Sequence, residues 1–303
     1  RSSICSIVGV TIAMKVFLNI SLFYLIWAVS IFLMFYFGFS LIKHSGVFEA
    51  KFLHNLANWD GGHYLGIADG GYDEVFQYAF FPLYPLLMSF LGKLLNSYLY
   101  AGIIISVAAS FIGFHFFYKL IKLDFGEEIA KRATIYLFLF PTSFYFLTVY
   151  TEGLFFCLSV MTFYFAKKNN FLAATISAVL VGSTRLAGLG VILSFWFLNF
   201  RSLINYKNWI IILAPLGFLG YCYFLYLQTG DPFYFIKAES YWHRKLIFPG
   251  YALVSAGMNL LNPKFLLLNY NVFLDFIFTI FGLLMFYSGL KKLKKEYIII
   301  LLL

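Results

Sequence analysis

Apolar runs close to 20 residues long recur along the chain, separated by short polar segments. A helix needs about 20 apolar residues to cross about 30 Å of hydrocarbon. The runs therefore predict spans at about 16–42, 98–120, 133–149, 152–166, 171–184, 187–200, 208–228 and 266–290, with another beginning near 297. The apolar–polar alternation of barrel strands is absent. The expected fold is all-α: a polytopic helical membrane protein of about eight spans plus a truncated ninth, forming one domain over 1–303. Met14-Lys15 opens a good first span, so residues 1–13 read as upstream sequence, and the chain stops in mid-span at Ile298–Leu303 as though a C-terminal part were missing.

Two stretches break the rhythm. Residues 43–97 form a long loop with amphipathic pieces, and Phe81-Pro82-Leu83-Tyr84-Pro85 within it suits a helix lying along the interface. Residues 171–200 are apolar but centre on Gly182-Ser183-Thr184-Arg185. At about 1.5 Å per residue this stretch is too short to cross twice. Two half-spans meeting at Arg185 are expected, lining a wet cavity.

Composition agrees: 62% of residues are hydrophobic and 12% charged, against about 25% charged in soluble domains. Mean hydropathy is +0.85. The net charge of +9 is a topology signal rather than a nucleic-acid one. With Lys15 inside, 13 basic residues fall on the inner side against Asp124, Glu127, Glu128 and Glu296. The outer side balances eight basic residues with eight acidic ones. Cys5, Cys157 and Cys222 have no paired spacing, so neither a disulfide framework nor a metal site follows.

The outer loop concentrates the chemistry. Of 13 acidic residues in the chain, four (Asp60, Asp69, Asp73 and Glu74) lie between 60 and 74, beside Trp59 and His63. Asp60 is the best candidate for a general base, with His63 three residues on and on the same face if the segment is helical. The competing reading is an Asp that caps an interfacial helix. Asp69, Asp73 and Glu74 suit either a solvated Gly-Gly loop or hard-cation ligands, so a divalent cation is compatible but not required. Arg185 has the forked donors that fit a phosphate, or it pairs with a carboxylate such as Glu152. Glu152 opens a span and equally suits a helix N-terminus. Tyr241, Trp242, His243 and Arg244 combine aromatic and basic groups that suit a sugar phosphate, or an interfacial belt with snorkelling cations. Asp275 sits inside a predicted span with no assigned partner.

Trp59-Asp60-Gly61-Gly62-His63-Tyr64-Leu65-Gly66-Ile67-Ala68-Asp69-Gly70-Gly71-Tyr72, then Tyr78-Ala79-Phe80-Phe81-Pro82, resembles the first-loop signature of the PIG-V family, within the GT-C glycosyltransferase superfamily. Tyr150-Thr151-Glu152 and Ser183-Thr184-Arg185 resemble later motifs of that family. The resemblance implies an inverting glycosyltransferase, with a polyprenyl- or dolichyl-phosphate mannose as donor. Its site would be on the outer or luminal face, with Asp60 at the catalytic centre. His63 would orient Asp60 or the acceptor, and Arg185 with Arg244 would hold the donor phosphate. The acceptor would be a glycan, glycolipid or protein. The richness in Ile, Lys, Phe, Asn and Tyr favours a prokaryotic plasma membrane over an endoplasmic reticulum. The rival is a transporter or flippase of lipid-linked sugars, since broken half-spans around a charge also serve transport.

Overall fold

The computed structural model describes residues 2–41, 52–242, 249–260 and 270–290. They divide into two compact units, 1–235 and 236–303. Among the described residues every regular element is helical. In the first unit these are α1 (Ser2–Leu41), α2 (Asp60–Gly70), α3 (Leu83–Leu95), α4 (Tyr98–Phe125), α5 (Glu127–Phe138), α6 (Glu152–Lys167), α7 (Phe171–Gly182), α8 (Gly188–Asn199) and α9 (Leu216–Thr229). A short α10 (Tyr234–Ala238) follows, and the second unit adds α11 (Pro249–Leu260) and α12 (Tyr270–Gly289). Among the described residues, four stretches are long and apolar enough to cross a membrane: Leu18–Leu41, Tyr98–Phe125, Asn208–Thr229 and Val272–Gly289. With the shorter apolar helices around them, they make this a polytopic helical membrane protein.

α4 is the spine of the first unit. Its buried face carries Gly102, Ser106, Ala109, Ser110 and Gly113 at helical spacing. Such a seam of small residues lets helix backbones close up where lipid offers no hydrophobic drive. A Cβ on Gly113 would lie 2.8 Å from Phe156 Cδ1, and one on Gly153 would lie 2.9 Å from the Ser106 carbonyl. Both glycines therefore set the approach of α6 to α4. Behind the seam, Tyr24 and Trp27 of α1 pack on Phe114 and Phe138. In the second unit, a Cβ on Gly257 would lie 3.3 Å from Phe276, so α11 meets α12 closely there.

One predicted span is corrected. Residues 133–149 do not form a continuous helix: α5 stops at Phe138, and after Pro141 only a 3-10 turn, Ser143–Leu147, follows. Proline has no amide hydrogen to donate and biases the residue before it away from helix. The Phe- and Leu-rich flanks hide that break from a hydropathy window. The break expected within 171–200 does occur, between two helices of 12 residues each. α3 buries Tyr84 and Met88 completely while exposing Leu86, Phe90 and Leu94 on the other side, so it is apolar on both faces.

Candidate active site

Three segments far apart in sequence meet at the start of α2. The first is Asn55–Asp60. Trp59 has a left-handed φ of 52° and is 76% exposed, and Asp60 opens α2 with its carboxylate in the first turn. A positive φ on a bulky residue costs of order 1–3 kcal/mol and persists only where the surroundings impose it. The N-terminus of α2 has no side-chain cap, so the capping account of Asp60 lacks its hydrogen bond.

The second segment is Thr148–Glu152. Val149 N donates to Leu56 O at 2.9 Å, and Tyr150 Oη donates to Asn58 O at 2.9 Å. A Cβ on Gly61 would come within 3.0 Å of the Val149 carbonyl. Gly61 thus makes room for the close approach of protein backbone. The Tyr150 carbonyl accepts from Ser106 Oγ at 3.2 Å, and Ser106 pairs with the buried Tyr84 hydroxyl at 2.7 Å. Loop and turn are therefore pinned to α4 and α3.

The third segment is the α7–α8 break. Leu83 N donates to Ser183 O at 3.0 Å, joining the start of α3 to Ser183-Thr184-Arg185. Arg185 Nη1 donates to Glu152 Oε1 at 2.5 Å, with side chains 41% and 30% exposed. Glu152 Oε2 is buried without a hydrogen-bond partner among the described residues. Burial works against the guanidinium charge, but Glu152, with Tyr64 and Asp60 nearby, holds the Arg185 pKa above its usual value.

Tyr64 closes the floor. It is 5% exposed, bonds Thr151, and lies within electrostatic reach of Arg185, Glu152 and Asp60. Burial raises its pKa strongly, so it is a neutral phenol. Tyr150 is likewise raised, by burial and then by the Asp60 charge. His63, on the α2 face, packs its ring 5.1 Å from both Phe76 and Phe80. Burial lowers its pKa below 6.5, opposed by Asp60. The structure thus gathers Asp60, His63, Glu152 and Arg185 with three tyrosines, 64, 145 and 150. These three tyrosines carry no signal in the sequence, because aromatic residues are too common here (23 Tyr and 40 Phe) for any one to stand out.

The segment after α2 is held by Gln77. Gln77 Oε1 accepts from the Asp73 and Glu74 amides at 2.7 and 2.9 Å, and Glu74 and Gln77 form a reciprocal capping box. Among the described residues no three His, Cys, Asp or Glu side chains converge as a metal set. Tyr241 and Trp242 belong to the second unit, with ring centroids 5.2 Å apart. His243 and Arg244 lie outside the described residues. Asp275 is exposed on α12.

Comparison with curated proteins and with solved structures finds no match. A family model, mannosyltransferase (PIG-V), matches residues 39–216, the stretch that carries all three converging segments. On that match over more than half its length, the chain belongs to the PIG-V mannosyltransferase family.

Proposed function

We propose that this mannosyltransferase moves mannose from a polyprenyl- or dolichyl-phosphate donor to an acceptor hydroxyl, with inversion, at the outer or luminal membrane face. The observation that carries the reading is the convergence of an exposed Asp60 with the Arg185–Glu152 pair on the first loop. A one-step inverting transfer needs one base and a stabilised leaving phosphate. Asp60 takes the proton of the acceptor hydroxyl. The oxygen then attacks the anomeric carbon as the bond to the phosphate oxygen breaks, and the lipid phosphate leaves with the electron pair.

Arg185 stabilises the charge growing on that phosphate. Its guanidinium has five donors, and the Glu152 bond uses one. Glu152 fixes the direction of the remaining fork. Trp59, exposed beside Asp60, offers a face for the sugar, and neutral His63 orients Asp60 or the acceptor. Arg244, with His243, Tyr241 and Trp242, is assigned to the donor phosphate or sugar on sequence grounds alone. The acceptor is a glycan, glycolipid or protein, and a prokaryotic plasma membrane is the proposed location.

Asp60→Asn tests the assignment. Purified variant reconstituted with radiolabelled prenyl-phosphate mannose should transfer nothing, while expression and membrane insertion persist. Retained transfer would overturn the role of Asp60. Movement of the lipid-linked sugar across the bilayer without transfer would favour a flippase.

A further inference from the structure

One face of α9 reaches both halves of the centre. The helix carries no charged residue, and it buries Phe218, Tyr221, Cys222 and Leu225. Gly217 and Tyr221 stand four residues apart, so they share that side. Tyr221 is buried, and its Oη lies 2.7 Å from Tyr78 O and 3.1 Å from Phe80 O. One hydroxyl hydrogen is thus shared between two carbonyls. Tyr72 Oη donates to the same Phe80 O at 2.8 Å. The two phenols fix the backbone of Phe80, whose buried ring lies 5.1 Å from both His63 and Tyr64. One turn earlier, Gly217 sits on the end of α7. Ser183 Oγ donates to Val179 O at 3.1 Å, and a Cβ on Gly217 would collide with both oxygens. Phe218 follows: its backbone N would lie 3.4 Å from a Cβ on Gly182, and its ring stacks on Phe81 with centroids 6.3 Å apart.

We propose that α9 holds the Asp60–His63 side of the centre in register with Arg185, and that Tyr221 and Gly217 are its positioning residues. Tyr221 acts through Phe80 on His63, and Gly217 acts through Ser183 on Arg185, two residues further along. The inference rests on the roles given above to His63 and Arg185 and adds what keeps them aligned. Three observations carry it. The Tyr221 ring belongs to an apolar cluster with Phe81, Phe218 and Phe235, to which a hydroxyl contributes nothing. A hydroxyl buried there is costly unless it is bonded, and this one is bonded to the turn that carries Phe80. At position 217 any side chain would push the α7–α8 break away from α9. Finally, Leu83 N donates to Ser183 O, so the segment held by Tyr221 and the break held by Gly217 are themselves joined. Neither α9 residue touches substrate in this arrangement. Their effect on the reaction is geometric, and a misplacement of about 1 Å can cost about 100-fold in rate.

The test uses reconstituted full-length protein and radiolabelled prenyl-phosphate mannose. Tyr221→Phe keeps the ring and removes only the hydroxyl. A partial misplacement should lower kcat about tenfold while KM for the donor stays within about twofold. In a His63→Gln background the same change should lower kcat by less than about twofold, because residues that act through one another are not additive. Gly217→Ala should also lower kcat about tenfold, and should add little to Arg185→Gln. Tyr223→Phe, the same chemical change on the exposed side of α9, should alter neither constant. Unchanged kcat in Tyr221→Phe, a full further loss in the His63→Gln background, or an equal loss in Tyr223→Phe would overturn the inference. If Gly217→Ala does not fold, Tyr221→Phe decides alone. A second readout needs no activity. The imidazole NMR signals of His63, assigned by their absence in His63→Gln, should move in Tyr221→Phe and stay in place in Tyr223→Phe; signals unmoved in Tyr221→Phe would also overturn it. If wild-type protein transfers no mannose, the functional reading fails, and the NMR comparison still decides whether α9 holds His63.

Discussion

Removing either partner of the Arg185–Glu152 pair should have unequal consequences. In Glu152→Gln, Arg185 Nη1 keeps an acceptor, but a neutral one; charge-assisted bonds are about twice as strong as neutral ones, so about 1 kcal/mol is lost. In Arg185→Gln a carboxylate is left whose second oxygen is already buried without a partner. Orphaning one member of a fully buried pair costs about 3–5 kcal/mol, and an exposed pair is worth about 0–1 kcal/mol. Side chains 41% and 30% exposed fall between these limits, giving about 2 kcal/mol for Arg185→Gln. At about 2 °C per kcal/mol for a chain of this size, the expected drops in Tm are about 4 °C and about 2 °C. The double variant should lie near the worse single, a coupling of about 1 kcal/mol. Thermal unfolding at one scan rate in one detergent measures all four proteins. A loss in Arg185→Gln no larger than in Glu152→Gln, or strict additivity, would refute the pairing argument. The phosphate role is read separately: Arg185→Gln should lower kcat by about 100- to 1,000-fold, and unchanged kcat would remove Arg185 from the chemistry.

Trp59→Gly should relieve the positive φ, so that Tm does not fall while transfer does; a Tm drop of several degrees would show that the ring, not the backbone, matters for folding. Tyr150→Phe removes the bond to Asn58 O and should destabilise by about 1 kcal/mol. It should also slow transfer at saturating donor, and unchanged kcat would show that Asp60 is held without it. His63 has a folded pKa below its ordinary 6.5 because burial resists its charge. As pH falls below 6.5 the unfolded chain takes the proton first, so stability is lost through the window down to the folded pKa. Tm measured from pH 7.5 to 5 should fall less in His63→Gln than in wild type, and parallel curves would exclude this group.

The class of fold was legible because a bilayer fixes helix length and polarity, and no local packing detail changes that. The first-loop motif, Tyr150-Thr151-Glu152 and Ser183-Thr184-Arg185 were each legible as local strings. Their meeting was not, because it depends on bonds such as Val149 N to Leu56 O and Leu83 N to Ser183 O, which join residues with no sequence relation. For Arg185, sequence offered a phosphate ligand or a partner for Glu152. The pair forms, and the fork geometry leaves donors for the other role. The span expected over 133–149 failed at Pro141 because hydropathy averages over a proline that backbone geometry cannot ignore.

The break between α7 and α8 bears on how the protein enters its membrane. A lone arginine at the apex of two 12-residue helices resists insertion by about 2.5–3.5 kcal/mol. Glu152, at the head of α6, precedes it in the chain and supplies the counter-charge. With α6 already in place, that counter-charge lowers the cost of inserting the α7–α8 hairpin. Synthesis from the N-terminus delivers the elements in that order, so a substitution at Glu152 would first be felt during biogenesis, as poorly inserted chains cleared before they reach substrate.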